Sequence, residues 1–213
     1  MPYNVLIYNK PMNYTPEQIS QIVLKVLKEV EEPDVSKLSN AEKIELAQNP
    51  NTSQETLKLL ATDKDWRVRC EVAETPNTSQ ETLKLLATDE NWFVRRGVAE
   101  NPNTSQETLR ILATDEDSDV RYWVARNPNT SQETLTILAT DEGSGVRCGV
   151  ARNKNTSQES LAILATDEDS DVRYWVVNNP NYKKQTLELN SVQYDALKKL
   201  IESGQDEVLK GIL

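Results

Sequence analysis

The sequence predicts an all-α solenoid, because a unit of 26 residues recurs five times and every unit carries two helix patterns. The period is marked by proline at all but one of its positions: Pro50, Pro76, Pro102, Pro128, Lys154 and Pro180. A fixed period in this range is typical of architectures in which each unit packs only on its neighbours. Only 37% of the 213 residues are hydrophobic, which fits a thin, elongated core.

Each unit begins with a helix-start pattern. In the first unit Thr52 and Glu55 have the spacing of a capping box, which predicts an N-cap at Thr52 and a helix that ends at about Ala61. Leu57, Leu60 and Ala61 share one face of this helix, so we expect that face to be buried.

A second helix follows a short polar turn at residues 62–65. It is predicted over residues 66–74, with Val68, Val72 and Ala73 on its buried face. The Pro that comes next ends it, because the residue before a proline is disfavoured in helical conformation.

The pattern divides the chain into three parts. We expect an N-terminal capping segment with an amphipathic helix at residues 1–37, an α-solenoid at 38–189 and a C-terminal helical cap at 190–213. The solenoid contains a partial unit, units one to five and a degenerate unit: 38–50, 51–76, 77–102, 103–128, 129–154, 155–180 and 181–189. The apolar stripe of the N-terminal helix is Ile19, Ile22, Val23, Val26, Leu27 and Val30.

Charge and targeting signals restrict the partners. The net charge is −10 and the pI is about 4.7, which disfavours nucleic acid and anionic membranes as partners. No signal peptide or membrane span is predicted, because the longest apolar runs are only a few residues. We therefore expect a cytoplasmic protein. The triplet Asn-Thr-Ser recurs in every unit, which favours the cytosol or a bacterial source.

The residue types present exclude much of the usual catalytic chemistry. The chain has no histidine, so His-dependent triads and His-containing metal sites are excluded. Cys70 and Cys148 lie three units apart, on the order of 25 to 30 Å, which is too far for a disulfide. The acidic turns 115–119 and 167–171 match the first half of an EF-hand loop but lack its glycine and distal Glu, which leaves calcium binding a weak alternative to a solvated turn. We predict no catalytic residue, cofactor or metal.

A family resemblance rests on the third unit. Its segment 115–121, followed by Val124-Ala125 and Asn127-Pro-Asn129, resembles the leucine-rich repeat variant family, whose units alternate two short helices. The chain is also similar to HEAT repeats, which carry Asp and Arg six residues apart. The resemblance extends over roughly residues 38–189 and implies a right-handed solenoid. The cysteine cluster that binds an iron–sulfur centre in some members has no counterpart here.

The similarity to HEAT repeats implies a structural role for one Asp and one Arg per unit. In such repeats these residues form a ladder between neighbouring units, which fixes the stacking register. The expected pairs are Asp63 with Arg69, Asp89 with Arg95, Asp115 with Arg121, Asp141 with Arg147, and Asp167 with Arg173.

A comparison of the five copies separates constant from variable positions in the second helix. The nearly constant positions are those of Val68, Arg69, Val72 and Ala73, and the variable ones are those of residues 67, 70, 71 and 74, which share the opposite side of the helix. We call these variable positions the variable face. It comprises Arg67, Cys70, Glu71, Glu74, Phe93, Arg96, Gly97, Glu100, Asp119, Tyr122, Trp123, Arg126, Gly145, Cys148, Gly149, Arg152, Asp171, Tyr174, Trp175 and Asn178.

The variable face is predicted to line the concave side and to bind a protein or peptide. We expect a slot with two aromatic walls about 20 Å apart and a floor of small residues: Tyr122 with Trp123, Tyr174 with Trp175, and Gly145, Cys148 and Gly149. Arg126 and Arg152 are positioned to pair with carboxylates of the partner. The alternative is a solvated, drifting face with both tryptophans folded onto their own units. Trp66 and Trp92 occupy a different position and are predicted to pack between units.

These observations favour a non-enzymatic protein-interaction module or scaffold. Two alternatives remain at this point. The HEAT-like resemblance allows an enzyme of the DNA glycosylase or pigment lyase type, although the acidic charge disfavours DNA. The chain could also be a purely structural spacer.

Overall fold

The computed structural model describes residues 15–21 and 34–183, together with positions 195, 198 and 199. Residues 16–21 are helical and belong to the predicted N-terminal capping helix. The rest of its apolar stripe, from Ile22 to Val30, lies outside the described residues. So does the predicted C-terminal cap, apart from the three single positions, which are helical.

Short helices alternate along the described rod, after a 3-10 turn at Val35–Lys37. They are α1 (Asn40–Gln48), α2 (Gln54–Leu60), α3 (Trp66–Glu74), α4 (Gln80–Leu86), α5 (Trp92–Glu100), α6 (Gln106–Leu112), α7 (Ser118–Arg126), α8 (Gln132–Leu138), α9 (Ser144–Arg152), α10 (Gln158–Leu164) and α11 (Ser170–Val177). Residues 34–183 contain no strand. No helix in this part of the chain has the length and apolar content needed to cross a membrane.

The helices form two layers. The second helices α1, α3, α5, α7, α9 and α11 pack on one another in sequence, whereas each first helix packs mainly between the second helices of its own and the preceding unit. Consecutive first helices make few contacts with each other. This repeated packing is an α-solenoid, and it confirms the predicted fold class.

The core is a continuous line of Leu, Val and Ala between the two layers. In the first unit Leu57 and Leu60 of α2 meet Val68, Val72 and Ala73 of α3, and all five are fully buried. The equivalent Leu and Val residues are buried in the other four units. The buried faces predicted from helical periodicity are therefore confirmed.

The predicted N-cap at Thr52 is wrong by one residue. Ser53 caps α2, because its Oγ accepts a hydrogen bond from the backbone N–H of Thr56. Thr52 is buried, and its hydroxyl donates to the carbonyl of Leu46 near the end of α1. The same threonine position closes the preceding second helix in the later units, for example Thr104 to Val98 at 2.6 Å.

Buried asparagines link the ends of consecutive second helices. Asn127 donates through Nδ2 to the carbonyls of Ala99 and Asn101 in the preceding unit, at 2.7 and 2.9 Å. Asn101, Asn153 and Asn179 make the equivalent bonds. Since these carbonyls lie at helix ends, where no helical partner is available, the asparagines satisfy them and fix the spacing of the units.

Candidate functional site

The variable face lies on the solvent side of the second helices. In α7, Val120 and Val124 point into the core, while Asp119 is exposed and Tyr122 and Trp123 are half-buried. The orientation of each of these helices is fixed by its buried valines on one side and, except in α9, by a side-chain N-cap at its start. The variable side chains are therefore held on a rigid layer.

Two arginines cover the two tryptophans of this face. The guanidinium carbon of Arg96 lies 5.4 Å from the ring centroid of Trp123 in the next unit, and that of Arg152 lies 4.0 Å from the ring centroid of Trp175. Both distances are within the range of a cation–π interaction. The same stacking thus recurs two units apart, although the two arginines come from different helical positions.

The aromatic walls of the predicted slot lie against the rod. Trp123 and Trp175 are half-buried and pack on the core, each with its neighbouring tyrosine edge-on at 5.6 and 5.2 Å between ring centroids. Tyr174 is the more exposed tyrosine, with 60% of its surface accessible, whereas Tyr122 is half-buried. Each tryptophan ring is consequently packed between the core and an arginine, and it does not project into solvent as a free wall.

The predicted floor is only partly a surface. Gly149 is buried, and a Cβ atom built on it would lie 2.9 Å from Cβ of Ala125 and 3.3 Å from the carbonyl oxygen of Tyr122. Gly149 therefore serves the close approach of α9 to α7 and is not an exposed floor residue. Gly145 is exposed with open space around its Cβ position, and Cys148 is half-buried.

A small cavity of about 240 Å³ lies between units three and four. It is lined by Ser118, Asp119, Tyr122, Gly143, Gly145 and Val146. The absence of a side chain at Gly145 opens this space, which could admit one side chain of a partner. Among the described parts of the variable face, this cavity most resembles the predicted slot.

A second aromatic group lies on units one and two. The Phe93 ring stacks between Trp66 of the preceding unit, at 5.0 Å, and Trp92, at 3.7 Å. Trp66 therefore packs between units, as predicted. Trp92 is half-buried against the core and stacks within its own unit.

Charge changes sign along the last position of the second helices. Glu74 and Glu100 end α3 and α5, whereas Arg126 and Arg152 end α7 and α9. Burial raises the pKa of Glu100. The positive charge of Arg96 opposes this rise, and the negative charge of Glu74 adds to it. Basic side chains are favoured at helix C-termini and acidic ones are not, so the two glutamates are the less stable half of this row.

The remaining predicted site residues lie at the two ends of the face. Arg67 is exposed and pairs with Asp65, the N-cap of its own helix, at 2.6 Å. Asp171 is exposed in the first turn of α11, and Asn178 follows that helix, where its side-chain amide donates to the carbonyl of Tyr174 at 2.7 Å. These contacts stabilise local structure and leave most of each side chain accessible.

The Asp and Arg residues form ion pairs between neighbouring units, so the expected pairing of carboxylate and guanidinium six residues apart is wrong. Arg69 donates to the Asp89 carboxylate through Nε and Nη2, at 2.6 and 2.9 Å, and through Nη1 to the carbonyl of Asp63 in its own unit. The same arrangement joins Arg95 to Asp115, Arg121 to Asp141, and Arg147 to Asp167. Each arginine thus connects the turn of its own unit to the turn of the next.

The ladder differs at its two ends. Lys43 of α1 takes the arginine position and binds the Asp63 carboxylate at 2.7 Å. Arg173 is exposed and donates to the carbonyls of Asp167 and Glu168. Within the described residues, Arg173 makes no ion pair. The ladder therefore spans units one to five and begins in the partial unit.

The acidic turns use their carboxylates inside the protein. Asp115 accepts from Arg95, and Asp117 caps α7 by accepting from the backbone N–H of Asp119 at 2.8 Å. Among the described residues, no group of three or more Cys, Asp or Glu side chains is arranged to hold a metal ion.

Both thiols have raised pKa values. Burial, with a contribution from Glu74, raises the pKa of Cys70 to about 12. Burial, with Asp169 and Asp171 nearby, also raises the pKa of Cys148. The thiolate is the nucleophilic form, so this environment suppresses cysteine reactivity.

Four tandem segments match the model of one repeat family, which is described as leucine rich repeat variant: 66–91, 92–117, 119–143 and 145–169. These are leucine rich repeat variant units. The resemblance seen in segment 115–129 is confirmed. Among curated proteins, none matches the sequence.

Each leucine rich repeat variant unit joins a second helix to the first helix that follows it. The segment 66–91, for example, spans α3 and α4. The matched segments therefore contain helices of both layers and most of the ladder residues. Sequence reasoning missed the arginine–tryptophan stacking and the buried role of Asn127, since neither has a local sequence signature.

Proposed function

We propose that the protein is a non-enzymatic interaction module that binds a protein or peptide on the variable face of units three to five. The observation that carries this proposal is the pair of arginine–tryptophan stacks, Arg96 on Trp123 and Arg152 on Trp175. Trp, Tyr and Arg are the residue types that dominate binding energy at protein interfaces. A half-buried ring under a guanidinium loses little side-chain entropy on binding.

The packing of the rod supports a role for this side. Consecutive second helices are in closer contact than consecutive first helices, so we expect any curvature of the rod to put the second helices on the inner side. An inner, continuous surface is what solenoids use to hold extended partners. The cavity beside Gly145 and the exposed Tyr174 ring lie on the second-helix side.

The partner's chemistry follows from the charge of these units. Arg126 and Arg152 provide positive charge near Trp123 and Trp175 in a protein whose net charge is −10. We expect a partner segment with carboxylates beside an apolar or aromatic side chain. A cytoplasmic setting fits the two free thiols, because disulfides are rare there.

Affinity capture from a lysate of the source cells, with quantitative mass spectrometry, tests the proposal. The Arg152→Ala, Tyr174→Ala double variant should lose the partners that the unchanged protein captures. The matched control changes Gln106 and Gln132 to Ala, because both lie exposed on first helices. Equal capture by the unchanged chain and the double variant contradicts binding at this face.

A further inference from the structure

An exposed aliphatic residue occurs at the same position of the first helix in units one to five. These residues are Leu59, Leu85, Ile111, Ile137 and Ile163, and between 42% and 60% of the surface of each is accessible. Because the units stack in register, the five side chains form one row along the first-helix side, which we call the aliphatic row. It lies on the opposite layer from the variable face and plays no part in the function proposed above.

The aliphatic row is kept apolar although its neighbours have changed. The adjacent position carries Lys58, Lys84, Arg110, Thr136 and Ala162, so the copies have diverged there between charged, polar and apolar residues. At the row itself the copies have changed only from Leu to Ile. Since Ile is not a better helix former than Leu, local helix stability does not account for this restriction, and contiguous exposed apolar surface is typical of an interface.

We propose that the aliphatic row is a homodimer interface, in which two copies of this chain pack antiparallel across a two-fold axis near Ile111. A second copy has the same 26-residue period, so its row matches this one along its whole length. In a two-fold interface the central residue meets its own copy. Ile111 then contacts Ile111, with Leu85 next to Ile137 on either side.

Charge distribution favours the antiparallel arrangement. On the first-helix side, the exposed charged residues of unit one are Glu55, Lys58 and Lys64, which together carry a net positive charge. Those of unit five, Glu159 and Glu168, are both acidic. Antiparallel packing brings the basic end of each copy to the acidic end of the other. Parallel packing would place the acidic ends together, which costs free energy.

Among the described residues, Glu159 has no ion-pair partner inside the chain, whereas Glu168 lies 3.7 Å from Arg147. Lys58 binds Glu81 and Lys84 binds Glu107 in the next unit, at 2.8 and 2.9 Å. The position that would serve Glu159 in the same way is Thr136, which has no charge. A cation from a second copy would supply it.

Sedimentation velocity of the full chain over a range of concentrations tests the dimer. We expect a reversible dimer, and we expect Ile111→Glu to raise its Kd by at least about tenfold, because it places two carboxylates together at the axis. Far-UV circular dichroism verifies that the variant is folded. The matched control is Tyr174→Glu, which makes the same change on the other layer and should leave the dimer intact. A chain that stays monomeric at all concentrations, or a dimer unaffected by Ile111→Glu, overturns the proposal.

Cross-linking tests the orientation. In a background where Cys70 and Cys148 are changed to Ala, Leu59→Cys and Ile163→Cys copies should cross-link with a short bismaleimide when mixed. Leu59→Cys alone should not cross-link to itself in an antiparallel pair. Cross-linking of Leu59→Cys alone, without cross-linking of the mixture, contradicts the antiparallel dimer even if the chain dimerises. The capture experiment on the variable face is independent of either outcome.

Discussion

Gly149 of α9 lies so close to Ala125 of α7 that a Cβ atom at position 149 would be 2.9 Å from the alanine Cβ. Gly97 of α5 has the same role two units earlier, where a Cβ atom would lie 3.1 Å from Cβ of Ala73 in α3. The other units carry Glu71, Trp123 and Trp175 at this position. Close packing therefore alternates with tryptophan-containing contacts along the second helices.

Gly149→Ala should destabilise the rod, because the added methyl group has to displace Ala125 or the Tyr122 backbone. Overpacking of this kind costs about 1–3 kcal/mol. Gly145→Ala is the matched control, since its Cβ position is in open space. We expect it to stabilise α9 by up to about 1 kcal/mol, as alanine does relative to glycine in a helix. Urea unfolding followed by circular dichroism measures both, and equal effects of the two substitutions contradict the close contact.

Arg121→Ala should lower the free energy of unfolding by about 3 kcal/mol, because it leaves the Asp141 carboxylate without its partner. Both side chains are only 8–9% exposed. Arg173→Ala is the control, since that arginine is exposed and bonds only to two backbone carbonyls among the described residues. We expect a change below about 1 kcal/mol for it. Urea unfolding separates the two, and an Arg121→Ala variant as stable as Arg173→Ala would show that the ladder does not stabilise the stack.

Sequence patterns predicted the repeat, the buried leucines and valines and the bounds of α3, because these depend on periodicity within one unit. The partner of each ladder residue could not be read from spacing alone. Arg69 is six residues from Asp63, yet its guanidinium binds the carboxylate of Asp89, because stacking brings the next turn closer. A glycine such as Gly149 gives the same local signal whether it lines a surface or lies between helices.

Asn127→Ala should destabilise the stack by about 1–3 kcal/mol, since it leaves the carbonyl of Ala99 without its hydrogen bond and removes one of the two hydrogen bonds that the carbonyl of Asn101 accepts. Asn129→Ala is a suitable control, because Asn129 is exposed and water can replace its side-chain contact with Pro102. Thermal unfolding measures the difference. If both alanine variants have the same unfolding midpoint temperature, the buried asparagines do not stabilise the junctions between units.

Cys70 should react slowly with thiol reagents at pH 8, because burial and Glu74 raise its pKa to about 12 and leave almost no thiolate. Glu74→Gln should increase the rate by removing the nearby negative charge. The rate of reaction with a chromogenic disulfide under native conditions measures this, and the denatured chain gives the reference. A native rate equal to the denatured rate contradicts the shielded environment.

Stability should fall in acid as ladder carboxylates become protonated. The pKa of Asp167 lies below its ordinary value of 3.8, because Arg147 donates to the carboxylate more strongly than burial disfavours it. A carboxyl group with a lowered folded pKa contributes stability that is present above its unfolded pKa and is lost as pH falls through the folded value. We therefore expect the contribution of Asp167 to be complete above about pH 5 and to disappear progressively below about pH 4.

The Asp167→Asn variant isolates this contribution, because asparagine does not titrate in that range. The difference in unfolding free energy between the unchanged chain and this variant should be largest near pH 7 and should shrink as pH falls below about 4. Glu168→Gln is the matched control, since that carboxylate is 91% exposed and lies 3.7 Å from Arg147. Exposed ion pairs contribute about 0–1 kcal/mol, so its difference should be small throughout. An Asp167→Asn difference that stays constant with pH would mean that Arg147 does not depend on the charge of its partner.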